Sequence, residues 1–425
     1  MTRATTAATA SVPVTPSAWA LPFAVTLVAM FALQLSNLGF SPLLPSIQQE
    51  FGMNYTQLGL FTGLYGLLAL ALSVPAGVSA KRFGEKRVLG AGLLGVAIGS
   101  VLLGEAWSFQ SALAFRGLTI FGYRFAFVSV LIAIALTAPP SLRGRTMGVL
   151  GATSAMASVV GAPLGGALVG EFGWRFAILG YAAMSVFGVA VFWLFYRPPA
   201  NEDSKDAGLL AGDAASRRSA FLSPVVWMLA LIVGMGGFGQ FTVTYFVPSV
   251  AKALYGLDAR AAGVIISTGY IAAIVVNLVV GLLTDRFNKL IVLGGIFILL
   301  AVASASLTIE HQTMFRISTA AVIGLGYTAA NQLYGLAGSV MPRREAANAM
   351  GVVSLGAGLF GYFGPQMLGI LRDWTGSFAA GFYMVAGADV ITLGLIVLLY
   401  RITGGRKAAE SSNVAPEGRK ENSQG

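Results

Sequence analysis

The chain has 425 residues, of which 56% are apolar and only 10% charged, and its mean hydropathy is +0.77. A soluble domain carries about 25% charged residues, so this composition describes a membrane protein. With no cysteine, disulfides, thiol catalysis, iron–sulfur clusters and thiolate metal sites are excluded, and the net charge of +10 has to be explained by topology.

In chain order, residues 1–18 are Thr/Ala-rich and read as a flexible cytoplasmic N-terminus. About twelve apolar segments follow, each near the ~20 residues that cross hydrocarbon. Spans 1 to 6 are expected at 19–43, 55–78, 88–105, 108–138, 146–169 and 175–196. Spans 7 to 12 are expected at 225–250, 262–283, 289–308, 315–340, 346–370 and 378–400. The first run is too long, and its leading segment too poor in charge, for a cleaved signal peptide. Long apolar runs between short charged loops are not the alternating ten-residue segments of a membrane β-barrel. The expected fold is all-α: a six-helix bundle over 19–197, a polar cytoplasmic linker at 198–222, a second six-helix bundle over 223–401 and a disordered cytoplasmic tail at 402–425.

Lysine and arginine set the orientation. Lys81, Arg82, Lys86 and Arg87 follow span 2, Arg143 and Arg145 follow span 4, and Arg286 and Lys289 follow span 8. The linker, the span 10–11 loop and the tail are basic as well. By the positive-inside rule both termini are then cytoplasmic, which needs an even number of spans. The expected location is the inner membrane of a bacterium. The single histidine, His311, falls in a loop with no second ligand beside it, so neither a metal site nor a cofactor is expected.

The chain repeats itself. Gly77–Gly90 reads GVSAKRFGEKRVLG and Gly281–Gly294 reads GLLTDRFNKLIVLG, at an offset of 204 residues. Met147-Gly148-Val149, Gly161 and Gly166 recur as Met350-Gly351-Val352, Gly364 and Gly369 at an offset of 203. Tandem bundles of this kind place a site between two halves that rock against each other.

The first copy, Gly77-x-x-x-Lys81-Arg82-x-Gly84-Glu85-Lys86, resembles the signature loop of the major facilitator superfamily, G-x-x-x-D-R-x-G-R-[KR]. The second copy is Gly281-x-x-x-Asp285-Arg286-x-Asn288-Lys289. Arg116 is similar to an arginine that the family carries in span 4, and Gly161-Ala-Pro-Leu-Gly165-Gly166 looks like a degraded glycine–proline motif of antiporters. The resemblance implies two six-helix bundles, transport by alternating access, conformational gating by the two signature loops, and a central cavity lined by spans 1, 4, 7 and 10. Two departures stand out. Lys81 and Glu85 occupy the family's Asp and Arg positions, which reads either as a charge-swapped pair facing each other four residues apart or as a loop that has drifted. Asn288 replaces a glycine at the turn of the second copy.

Charges inside spans are costly and usually functional, and three remain after sorting: Arg116, Arg124 and Asp389. Arg124 lies near the middle of span 4, where a guanidinium fork suits a carboxylate or other oxyanion; its alternative is a tie to helix carbonyls. Polar stripes at helical spacing add Gln34 and Asn37 on span 1, Gln240 on span 7, and Tyr327, Asn331 and Tyr334 on span 10. These stripes line a substrate site or hydrogen-bond between helices. Asp389, in span 12, is a candidate for proton coupling.

No acid occurs in spans 1, 2, 7 and 8, and no nucleotide-binding loop G-x-x-x-x-G-K-[ST] exists, so the chain itself holds no site for ATP drive. The expected function is secondary transport of a small organic or inorganic anion, coupled to a proton or to exchange, with the solute and the lipid bilayer as partners, and neither an enzyme nor a nucleic-acid binder. The alternatives are an exporter of drug-like compounds and, in another class, a receptor or scaffold that does not transport.

Overall fold

The computed structural model describes residues 16–137, 142–197, 223–340 and 343–413; the side chains at 16–18, 135, 143, 144, 285, 337–340, 343–350 and 403–413 lie outside that description. The expected linker at 198–222, most of the N-terminal segment and residues 414–425 of the tail therefore lie outside the described residues. Among the described residues every regular element is a helix. These are α1 (Pro16–Leu38), a 3-10 turn (Ser41–Leu43), α2 (Leu44–Glu50), α3 (Tyr55–Phe83), α4 (Glu85–Gly104), α5 (Phe109–Thr137) and α6 (Arg143–Phe195). Beyond residues 198–222 come α7 (Pro224–Tyr255), α8 (Ala259–Arg286), α9 (Lys289–Ser306), α10 (Gln312–Val340), α11 (Arg343–Thr375) and α12 (Ala379–Asn413).

Nine of these helical stretches, among the described residues, are long and apolar enough to cross a membrane. One of them is α6, whose 53 residues run about 80 Å, more than twice the ~30 Å of a hydrocarbon core. It holds expected spans 5 and 6 as two arms that turn at Gly173, whose φ of 81° belongs to the left-handed region. Helices α10 and α11 fall outside that apolar set.

Local chemistry sets the ends of the elements. Asn54 and Gln57 form a capping box at the start of α3, Asp258 caps α8, and Asn288 caps α9 through Leu290 N–H. Gly84, at φ 85°, turns the chain from α3 into α4 in a single residue, whereas Asn288 sits at φ −60°. The second signature loop therefore needs no glycine, and asparagine supplies a cap there instead. Span 1 breaks where Pro42 and Pro45 withdraw N–H donors. Tyr181 donates its hydroxyl proton towards the Gly39 carbonyl at this break and towards the Gly161 carbonyl of α6, and Ser41 donates to the Thr244 carbonyl of α7, which Pro248 leaves without its i+4 donor.

Helices pack mainly within their own half, α4 on α5 and α6, and α9 on α10 and α12. The two most extensive contacts between the halves are α3 with α11 and α6 with α8, and the 3-10 turn and α2 add smaller ones to α7 and α8. The repeat relates the two extensive ones. A Cβ at Gly59 would stand 2.6 Å from the Pro365 carbonyl, and a Cβ at its repeat partner Gly263 would collide with the Ala162 carbonyl. Gly369 against Tyr55 and Gly166 against Ala259 form a second equivalent pair. The motif at Gly161–Gly166 is thus part of a seam where backbones touch.

The seam occupies one end of the molecule. There a single apolar core runs through both halves, from Leu43, Phe61 and Tyr181 to Phe246, Tyr270 and Phe382. At the other end, which carries Lys81, Arg82, Lys86 and Arg87, each half has its own core, one around Leu93 and Phe192 and one around Phe297 and Leu333. The halves meet at the far end and part toward the basic end.

Candidate functional site

The central side chains lie where the shared core gives way to the two separate ones. Arg124 projects from α5 with its guanidinium over the Tyr65 ring at 4.3 Å and near the Tyr123 ring at 5.8 Å. Its Nε is buried without a hydrogen-bond partner. Tyr123 donates its hydroxyl proton to Gln34 Oε1, which fixes the wall between α1 and α5. Tyr65 also reaches across to Phe241 of α7, with ring centroids 6.2 Å apart.

Eight residues earlier on α5, about 12 Å along the axis, Arg116 is 2% exposed. Its guanidinium lies 3.8 Å from the centre of the Phe40 ring, and its Nε too has no partner. Stacking on an aromatic face returns about 2 kcal/mol when desolvated, whereas an unpaired buried ion costs several. The ring does not compensate the charge. Tyr245 of α7, Tyr65 and Tyr334 complete the surroundings of the two arginines.

In the second half, buried Gln240 donates to the Tyr270 hydroxyl at 3.2 Å, and Tyr270 meets Tyr327 edge to face at 5.6 Å. Gly326 makes room for the Gln240 stem: a Cβ there would lie 2.7 Å from the Gln240 Cβ. Tyr327 is held beside Asn331, which is exposed. Asn37 is buried and has no hydrogen-bond partner among the described residues; it does not bond to Gln240, its repeat equivalent. Thr328, the repeat equivalent of Arg124, turns its hydroxyl back onto the Gly324 carbonyl.

The structure therefore brings together Gln34, Arg116, Arg124 and Tyr334, and joins Gln240, Tyr327 and Asn331 to them through Tyr270 and Tyr245. Four tyrosines of this wall, Tyr65, Tyr123, Tyr245 and Tyr270, are absent from the sequence-based selection. A phenol inside an apolar span needs a partner for its hydroxyl, but hydropathy does not separate it from the apolar residues around it. Asp389 stands apart. It is buried on α12, accepts a 2.8 Å hydrogen bond from Ser304 of α9, and backs onto α7 at Gly239, the residue before Gln240. A surface hollow beside Asp258, Arg260 and Arg316 lies at the far end, away from all of these groups.

The signature loops depart from the expected geometry. The Lys81–Glu85 pair is not formed: Gly84 interrupts the helix between them, so the four-residue spacing no longer shares a face. Lys81 is exposed, Glu85 accepts from the Tyr196 hydroxyl at 3.2 Å, and Lys86 donates to the Tyr196 carbonyl at 2.7 Å. Gly77 and Gly281 face open space and Arg286 is exposed, while the Asp285 side chain lies outside the described residues.

Comparison with known proteins gives one consistent answer. Residues 25–365 match the family model described as Major Facilitator Superfamily. The uncharacterized transporter YybO of Bacillus subtilis is 26% identical over 84% of this chain and 87% of its own length. A Cupriavidus necator protein named "Probable sulfoacetate transporter SauU" is 23% identical over 87% of this chain and 90% of its own. Among solved structures, a bacterial homolog of the human lysosomal transporter Spinster, inward-facing and unoccupied, superposes with a TM-score of 0.71 at 16% identity, covering 90% of this chain and 96% of that one.

Proposed function

Because the chain belongs to the Major Facilitator Superfamily, an integral-membrane family of solute transporters, we propose that it moves a small organic or inorganic anion by alternating access, coupled to a proton or to exchange. The observation that carries this reading is the pair of α5 arginines with no acid beside them. Among the described residues the ion pairs are Arg175–Glu50 and Arg260–Glu171, both at least two-fifths exposed and neither involving Arg116 or Arg124. Guanidinium forks left free in a low-dielectric interior favour an oxyanion over a cation or a neutral compound. The name of the Cupriavidus relative, which refers to an organic anion, points the same way.

In this reading the helices before and after 198–222 are the two rocking units. The basic end faces the cytoplasm, by the positive-inside rule. The loops at Gly77–Glu85 and Gly281–Arg286 gate that end. Asp389, the one buried acid among the described residues, is the proton site if a proton is coupled. The reading assigns no enzymatic step. A thermal-shift panel of purified protein against carboxylates, sulfonates, inorganic anions, organic cations and neutral drug-like compounds tests it. A ligand at 100 times its Kd stabilises by about 2.7 kcal/mol, so members of the anion series should raise the melting temperature and the cations should not. Stabilisation confined to cationic or neutral compounds would favour an exporter of such compounds instead.

A further inference from the structure

We propose that the substrate is a short dianion, such as a dicarboxylate, whose two negative charges are matched to Arg116 and Arg124. The proposal rests on the anion reading above and adds the valence of the ligand.

Three observations lead to it. First, both guanidiniums are permanent charges, since arginine does not deprotonate in proteins. Each has a buried Nε without a partner, and Arg116 is almost wholly withdrawn from solvent. Second, no described residue supplies the opposite charge. The acids nearest the far end are engaged there, Glu50 with Arg175 and Glu171 with Arg260, and Asp389 lies behind α7 on Ser304. The groups that do surround the arginines, Phe40, Tyr65, Tyr123, Tyr245 and Tyr334, offer rings and hydroxyl dipoles but no charge. Third, the two cations address a common space. Arg116 lies on the Phe40 ring, which packs on Phe61 of α3, and one turn further along α3 Tyr65 carries Arg124 on its face.

The charge balance then decides the valence. A monoanion neutralises one guanidinium and leaves the other, its Nε buried, without a counter-charge. A dianion removes both penalties, and the hydroxyls of Tyr65, Tyr245 and Tyr334 can donate to the remaining carboxylate lone pairs. The two Cα positions lie ~12 Å apart along α5, and one guanidinium rests on Phe40 against Phe61 while the other rests on Tyr65, a single turn from Phe61 on α3. The ligand is therefore short, a few carbons between its acidic groups.

The test uses the full-length protein in detergent or nanodiscs and ligands matched in length. Malonate and succinate are compared with propionate and butyrate, and with the neutral succinamide, by equilibrium dialysis at neutral pH. The dianions are expected to bind at least ~10-fold more tightly than the monoanions. Arg116→Gln and Arg124→Gln should each bring that ratio close to one while monoanion binding persists. In anion-free buffer, Arg116→Met should raise the apparent melting temperature, because it removes an uncompensated charge and keeps the side-chain volume. Equal affinity for the two valences overturns the dianion and leaves the anion reading standing. Failure of both series, with binding of succinamide alone, removes the anion reading as well. A melting temperature lowered by Arg116→Met, with the valence ratio intact in Arg116→Gln, makes Arg116 a structural residue and overturns its place in the site.

Discussion

Arg124 is the residue on which the chemistry turns. Its guanidinium rests on the Tyr65 ring and spends no hydrogen bond on a carboxylate. Arg124→Ala should weaken dianion binding by about 100-fold, or about 2.7 kcal/mol, with insertion and folding intact. Arg124→Lys should recover only part of it, since an ammonium lacks the planar fork. Binding titrations on purified variants check both, and unchanged affinity in the alanine variant contradicts the assignment. Asp389 supports a separate prediction. It is buried with a single hydrogen bond from Ser304 and sits behind Gln240, so Asp389→Asn should leave anion binding within about threefold while removing any dependence of transport on a proton gradient. A variant that retains gradient-driven accumulation shows that the coupling site lies elsewhere. Both charges were legible in the sequence, because charge inside an apolar run is conspicuous. Tyr65, Tyr245 and Tyr270 were not, because a tyrosine counts as apolar in a hydropathy pattern and only its neighbours reveal what its hydroxyl does.

Among the elements, the paired seams α3–α11 and α6–α8 decide which end of the molecule is closed. Each is locked by an acid at the far end. Asp373, near the end of α11, accepts the N–H groups of Tyr55 and Thr56 at 3.0 and 2.7 Å and the Thr56 hydroxyl at 2.7 Å. A carboxylate there also meets the positive end of the α3 dipole. Glu171, at the end of the first arm of α6, pairs with Arg260 at the start of α8. Both locks are exposed, so each is worth about 1 kcal/mol rather than the full value of a charged hydrogen bond. That is still close to the ~1.4 kcal/mol that changes a population tenfold. Asp373→Ala should therefore open the far end several-fold. A cysteine at Ser41, buried and bonded across the seam to Thr244, reports it in a chain that has no other thiol. Its labelling by an impermeant reagent from the far side should speed up in the Asp373→Ala background, with Asp373→Asn intermediate; an unchanged rate means that the carboxylate does not hold the seam. The glycine–proline motif of span 5 was visible in the sequence. Its partner was not, since small residues announce close approach without naming the helix that approaches. The Lys81–Glu85 pair failed for a local reason: spacing was read along a helix that Gly84 ends.

At the scale of the whole molecule, the 204-residue offset between Gly77 and Gly281 carried most of the fold, because in an apolar chain a repeat of that length leaves few arrangements other than two similar bundles. It reaches as far as the seam contacts, where Gly59 with Pro365 and Gly263 with Ala162 are equivalent pairs. Which end is closed is a different kind of fact. The same helices pack either way, and only the side-chain cores show that the halves share one core at the far end and keep two at the basic end. That asymmetry is what a transporter caught in one of its two states should have, and a receptor or scaffold on the same fold need not leave it. The decisive measurement is counterflow in proteoliposomes. Vesicles loaded with an unlabelled anion that stabilises the protein are diluted into a trace of the same anion carrying a radiolabel, with no ATP present. The wild-type protein should concentrate the label transiently above its external level, and Arg124→Ala should not. No exchange of any anion that binds, or exchange that survives Arg124→Ala unchanged, would contradict an anion transporter that works through Arg124.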